Sequence, residues 1–323
     1  MSTTSTQSGP FSLPNLQPGH KYIKDNSNHT LIPCAASAVM SDFIDLPTHQ
    51  EFISVHAKRA NRIVVEYNSS YIIKRGADVR RTEADAMCLV GKHTSIPAPR
   101  VWQSRFTPDV GAIKMSLIPG TRLEEKWDTL EATDKERICR EVWYLTFQFH
   151  FVPQPEELSH LFVCSADGSP LQHPMFKDWE EQPRHLMSDA MVRARIYDLY
   201  LRAEGRLYED ILSDMLPRAQ ASIFTHGDIK PHNILIDEQN KVTGILGWEH
   251  AGWYPDYWEY AQAIRYDLQG DWPDWMEKTA PRKWDLTGLN AARNVLCPVG
   301  LLSSSDSDAS SSPKDSLASL GDL

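Results

Sequence analysis

Residues 224–252, FTHGDIKPHNILIDEQNKVTGILGWEHAG, constrain what this chain can fold into more than any other stretch. An acid, Asp228, is followed five residues later by an amide, Asn233, and then at once by an apolar run. NILID, EQNK and VTGIL predict a strand, a turn and a second strand. A rigid hairpin holds the loop before it, so Asp228 and Asn233 are predicted to converge on one point. An isolated Asp-x-x-x-x-Asn reads more simply as a turn whose polar groups satisfy backbone. The preceding His-Gly and the following hairpin favour a functional loop over 226–233. A carboxylate there can orient a hydroxyl and accept its proton, and an amide oxygen can face Mg²⁺. Lys230, between them, can offset negative charge that develops on a transferring group. His226 reads as a brace for the loop rather than a base.

Length and charge narrow the setting. The chain has 323 residues, enough for two lobes around a cleft. Its 33 basic and 43 acidic residues give a net charge of −10, the opposite of a nucleic-acid footprint and compatible with a cationic or neutral small molecule. The five cysteines, 34, 88, 139, 164 and 297, show no C-x-x-C spacing and read as reduced thiols of a cytoplasmic protein. No signal-peptide pattern opens the sequence and no apolar run reaches membrane-spanning length, so no membrane partner is expected.

Organisation follows from periodicity. Residues 1–30, rich in Ser, Thr, Asn, Pro and Gly, read as mostly disordered or loosely draped, and the acidic Ser-rich tail 301–323 as disordered. EFISVHA, RIVVEYN and YIIKRG are short β-rich runs with NSS as a hairpin turn. DVRRTEADAMCLVGKH predicts a helix with Asp78 as N-cap and Ala84, Met87 and Cys88 on one face. GAIKMSLIPG predicts another strand. The remainder is mostly helical: TDKERICREVWYLTFQFHF opens with a capping box, Thr133 and Glu136, and carries an apolar stripe of Ile138, Val142, Leu145 and Phe149. Trp253, Tyr254, Trp258 and Tyr260 read as packing rather than as a ligand cage. Asp178, Glu180 and Glu181 read as a solvated charge cluster near the acceptor side.

The combination HGDIKPHNILID … GILGWEHAGWYPDYWEY resembles the aminoglycoside phosphotransferase/choline kinase branch of the protein-kinase-like superfamily, closest to a fungal group of phosphotransferase-like proteins. The likeness covers roughly residues 50–270. It implies an α+β, two-lobed kinase-like fold: a β-rich N-lobe over 31–118 and a helical C-lobe over 119–300. It implies ATP-dependent phosphoryl transfer to a hydroxyl of a small-molecule acceptor, with ATP and Mg²⁺ as cofactors. Lys74, in YIIKRG, matches the strand lysine that contacts nucleotide phosphates, and Glu83 the helix glutamate that positions it. Met115 and Leu117 match the residues flanking the adenine ring. Asp228 and Lys230 take the catalytic positions and Asn233 a metal-ligand position.

Three departures bear on activity. VHAKRANRIVVEY, before Lys74, has no glycine. Met115-Ser116-Leu117 stands where the family more often has M-E-Y. Gly247, nineteen residues after Asp228, stands where the family's I-D-W-E motif has its metal-binding aspartate. Losing one oxyanion donor typically costs roughly 10²–10³ in rate, and an anionic metal ligand at least as much. Glu249, two residues on, would share a side with Gly247 in an extended strand and is the candidate substitute. Two other readings stay open: a pseudokinase that binds nucleotide or a partner without chemistry, and a repurposed ATP-independent acid/base enzyme of secondary metabolism.

Overall fold

The computed structural model describes residues 9–10, 16–43, 46–178, 184–265, 268 and 270–297. The tail 301–323, Glu180 and Glu181 lie outside them. The described residues divide into two compact units, one drawn from 1–81 and 100–117 and the other from 82–99 and 118–308.

The first unit is an antiparallel sheet. Its strands are β1 (Gly9–Pro10), β2 (Lys21–Asp25), β3 (Thr30–Pro33), β4 (Gln50–Arg59), β5 (Arg62–Tyr67), β6 (Tyr71–Gly76), β7 (Val101–Phe106) and β8 (Gly111–Ser116). Their spatial order is β1-β3-β2-β4-β5-β6-β8-β7. The three β-rich runs read from the sequence are β4, β5 and β6. Asn68 and Ser69, both with φ of 48°, turn the chain between the last two. Ala60 and Asn61 alone join β4 to β5, so a tight turn stands before the strand of Lys74.

The expectation of a loosely draped segment over 1–30 fails from Leu16 onward. Leu16 is wholly buried, and β2 pairs with β4 in the register Tyr22↔Ile53 and Ile23↔Phe52. Alternation splits this pairing between the two faces of the sheet. Leu16, Tyr22, Leu31, Ile53, Val55, Val65, Tyr67 and Ile73 form one core. Ile23, Ala38 and Phe52 form another. Each Leu, Ile, Val or Phe among them contributes about 1.5–3 kcal/mol on burial, which offsets the cost of ordering a Gly- and Asn-rich segment.

The second unit is mostly helical. It holds α1 (Arg81–His93), which begins at the boundary, and then β9 (Thr121–Arg122), α2 (Leu123–Lys126), α3 (Ala132–Phe147), β10 (Cys164–Ser165), α4 (Asp189–Arg202) and α5 (Leu212–Met215). It continues with β11 (Ser222–Thr225), β12 (Ile234–Ile236), β13 (Val242–Ile245), β14 (Gly252–Pro255), α6 (Trp258–Ala263), α7 (Trp272–Thr279) and α8 (Thr287–Leu296). Two small sheets, β10-β14-β11 and β13-β12-β9, flank the 226–233 loop in sequence. The α+β class expected from the sequence is the observed one.

Local details differ from expectation. Helix α1 starts at Arg81 rather than after Asp78, and its buried face is Thr82, Glu83, Ala84, Ala86, Met87 and Val90, leaving Cys88 exposed. Helix α3 starts at Ala132 with no side-chain cap. Glu136 does not reach back to the helix start; it pairs with Arg140 and Lys278. The stripe Ile138, Val142, Leu145 and Phe149 is buried as expected, and Trp143 fixes α3 to α7 by donating to the Met276 carbonyl at 3.0 Å. Trp253, Tyr254, Trp258 and Tyr260 are buried too. No helix among the described residues is long and apolar enough to cross a membrane.

Candidate functional site

Strand β11 delivers the chain into His226-Gly227-Asp228, and a short turn over Pro231–Asn233 returns it to β12. Backbone groups here cannot pair with a strand, so buried side chains must satisfy them. Glu259 on α6 does so. Its carboxyl accepts from the backbone N–H of His226 at 2.6 Å and of Gly227 at 3.3 Å. Burial pushes Glu259 up to about 8, against the opposing pull of those two N–H groups.

His226 is the second brace. Its Nδ1 accepts from the Asp228 N–H at 3.2 Å, so the proton sits on Nε2, which donates to the Leu246 carbonyl at 2.9 Å. The ring packs edge-on against Trp248 with centroids 4.6 Å apart. Burial lowers its pKa to about 4, so the ring is neutral and acts as a strut, as the sequence suggests.

On this frame Asp228, Lys230 and Asn233 come together. Asp228 Oδ2 accepts from Asn233 Nδ2 at 2.8 Å and from Lys230 Nζ at 2.9 Å, and Asn233 Nδ2 also donates to the Asp228 carbonyl at 2.9 Å. Asn233 is buried, whereas Lys230 and Asp228 keep 35% and 21% of their side chains in contact with solvent. A carboxylate with one reachable edge and a lysine beside it can receive a proton and hold negative charge.

The metal position behaves differently. Gly247 lies in the left-handed region, φ 80° and ψ 46°, and a Cβ there would stand 2.5 Å from Asn233 Oδ1. The Asn233 amide thus lies where a side chain at 247 would emerge. Residues 248–250 form a helical turn instead of continuing the strand, so the same-side argument for Glu249 does not hold. Among the described residues no group of three His, Cys, Asp or Glu side chains is gathered for a metal. Mg²⁺ demands near-octahedral oxygen ligands and usually one or two carboxylates. Asp228 already accepts from Lys230 and from the Asn233 amide, so the one carboxylate and the amide are closed on each other and this arrangement does not fit a Mg²⁺ site.

The remaining expected residues are placed as follows. Lys74, in the first unit, is buried on β6 opposite Ile113 of β8. Met115 pairs with Ile72 in the same register, so Ile72, Lys74, Ile113 and Met115 share one face of the sheet. Leu117 follows the end of β8 and is half-buried. Glu83 is buried in the first turn of α1. Glu259 was not anticipated from the sequence. Its signal was a carboxylate set between Trp258 and Tyr260 in the aromatic run WYPDYWEY, where a buried charge must find donors or stay protonated.

A profile of the phosphotransferase enzyme family, APH, matches residues 53–285. The chain belongs to that family. Among solved structures, the GDP complex of an aminoglycoside 2'-phosphotransferase-IIIa mutant is similar at TM-score 0.51 and 13% identity, covering 80% of this chain and 84% of that one. The gentamicin complex of APH(2")-IIa follows at TM-score 0.49 and 12% identity, covering 75% and 80%. At such identities the likeness to this phosphotransferase-family member lies in the fold. No curated protein sequence matches significantly.

Proposed function

We propose that this family member is a phosphotransferase of reduced turnover, moving the γ-phosphoryl group of ATP to a hydroxyl of a small cytoplasmic acceptor. The observation that carries this reading is the Asp228–Lys230–Asn233 cluster held on buried struts. Asp228 orients the acceptor hydroxyl and takes its proton as the new O–P bond forms and the bond to the ADP leaving oxygen breaks. Lys230 offsets charge on the transferring group. Lys74 contacts nucleotide phosphates, Glu83 positions Lys74, and Met115 and Leu117 flank the adenine ring.

No step is routed through a metal, because the described donor set does not fit one. Asp228→Ala is the test. ADP release should vanish while the circular dichroism spectrum and cooperative unfolding are retained. Equal ADP release from the variant and the parent would remove Asp228 from this role.

A second reading, a nucleotide- or partner-binding protein without chemistry, is favoured by the overlap of Asn233 with the side-chain position at 247. ATP binding indifferent to Mg²⁺, with no ADP formed over any acceptor tried, would select it.

A further inference from the structure

A cavity of about 200 Å³ opens in the second unit between the β10 segment and α4. Asp228, Lys230 and Asn233 do not border it. Its floor is apolar: Val163, Leu171, Phe176 and Leu186 line it, and all four are buried. Its mouth is polar, with Gln172 and His185 lining it and exposed to solvent. A small molecule in solution therefore meets the polar mouth first and the apolar floor beneath it.

The floor is built before any ligand arrives. The N–H groups of Phe162 and Val163 both donate to the Leu186 carbonyl, at 2.7 and 3.1 Å. The Phe176 ring packs on Trp258 and Tyr254, with centroids 4.6 and 5.9 Å apart. Arg195 on α4 ties the two sides together, donating to the Phe176 carbonyl at 3.3 Å and to the Arg184 carbonyl at 3.4 Å. The same guanidinium pairs with Asp178 at 2.8 Å, and Asp178 also accepts from the Arg184 N–H at 2.8 Å. Asp178, expected from the sequence in a solvated cluster, instead keeps only 2% of its side chain exposed. A wall fixed in this way costs little ordering when a ligand binds.

Volume and lining select the ligand. An apolar cavity of about 150 Å³ takes one benzene ring. The larger cavity here has room for one ring and a small substituent, and falls short of the roughly 300 Å³ at which sites for drug-sized ligands begin. Asp178 and Arg195 in the buried wall answer each other, so a polar group pushed onto the floor would lose its hydration without return. The Phe176 ring favours an aromatic partner there. At the mouth, the Gln172 amide makes one bond among the described residues, to the Pro170 carbonyl at 3.4 Å, and His185 meets the His160 ring at a centroid distance of 6.2 Å. Both side chains can donate to or accept from a hydroxyl.

We propose that this cavity binds a small phenol. Its one aromatic ring lies on Val163, Leu171, Phe176 and Leu186, and its hydroxyl bonds at the mouth with Gln172 and His185. The site stands whether or not the chain transfers phosphate.

Fluorine NMR of the full chain with 4-fluorophenol tests the proposal. The probe resonance should broaden on adding protein. Unlabelled phenol should reverse the broadening, and glycerol should not. Leu171→Trp fills the floor and should abolish the broadening. Should that variant not fold, the double variant Gln172→Ala with His185→Ala alters exposed residues only. It should unfold cooperatively and bind the probe about threefold or more weakly. No broadening, reversal by glycerol, or binding unchanged in either folded variant would overturn the proposal.

Discussion

The side-chain amide of Asn233 stands where a side chain on Gly247 would have to begin. Its Oδ1 lies 2.5 Å from an ideal Cβ at that position, and the Leu246 N–H, donating to the Asn233 carbonyl at 2.8 Å, pins the two segments together. Glycine at 247 therefore does more than omit a ligand. It lets Asn233 turn onto Asp228 and close the donor set on itself.

Gly247→Asp follows from that closure. Aspartate tolerates the left-handed conformation better than most residues, but the Asn233 amide must move off Asp228. Without metal, stability should fall by about 1–2 kcal/mol from lost hydrogen bonds and backbone strain. With Mg²⁺ and ATP the variant should gain thermal stability and ADP release relative to the parent. A variant indifferent to Mg²⁺ and as stable as the parent would contradict the overlap.

Lys230→Met isolates charge from scaffold. The lysine is partly solvated, so losing its ion pair with Asp228 should change stability by no more than about 1 kcal/mol. If it offsets charge during transfer, kcat should fall by roughly 10²–10³. Parallel steady-state kinetics and urea denaturation check both halves. A large stability loss with unchanged kcat would make it a scaffold residue.

The struts beneath the loop titrate in opposite senses. Glu259, raised to about 8, keeps its proton in the folded state after the unfolded chain has released it, so its contribution is lost as pH rises from the usual 4.5 towards 8. His226, lowered to about 4, stays neutral while the unfolded chain protonates, so its contribution is lost as pH falls from 6.5 towards 4. Between pH 6.5 and 8 Glu259 dominates, with a slope of at most about 1.4 kcal/mol per pH unit. Glu259→Gln should flatten that limb while the acid limb persists. Urea denaturation across pH 5–8.5 decides, and an unchanged alkaline limb would place the carboxyl's pKa lower.

Leu16→Ala tests the N-terminal strand region. Leu16 is wholly buried against the core face of the sheet, so its truncation should cost about 2–5 kcal/mol. A cost below about 0.5 kcal/mol, measured by denaturant unfolding of the full chain, would mean that residues before Lys21 do not seal that core.

Much of this was legible in local pattern. The spacing of Asp228 and Asn233 before an apolar hairpin, the β-rich runs around Lys74, and the stripe on α3 each depend on residues close in sequence, and periodicity records such relationships. The capping box on α3 failed because Glu136 found Arg140 and Lys278 instead, and sequence spacing does not reveal competing partners. Strand β2 was missed because its partner, β4, lies about thirty residues away, and two apolar residues among turn formers carry little local signal.

The sequence by itself determined the family, the α+β class, and the chemistry available at 228, 230 and 233, because these rest on residue identity and short-range order. Only the tertiary structure decided that Glu259 and His226 hold the loop and that Asn233 closes over Gly247. Those outcomes depend on burial and on contacts between residues tens of positions apart, where the environment sets whether a group is a charge or a strut.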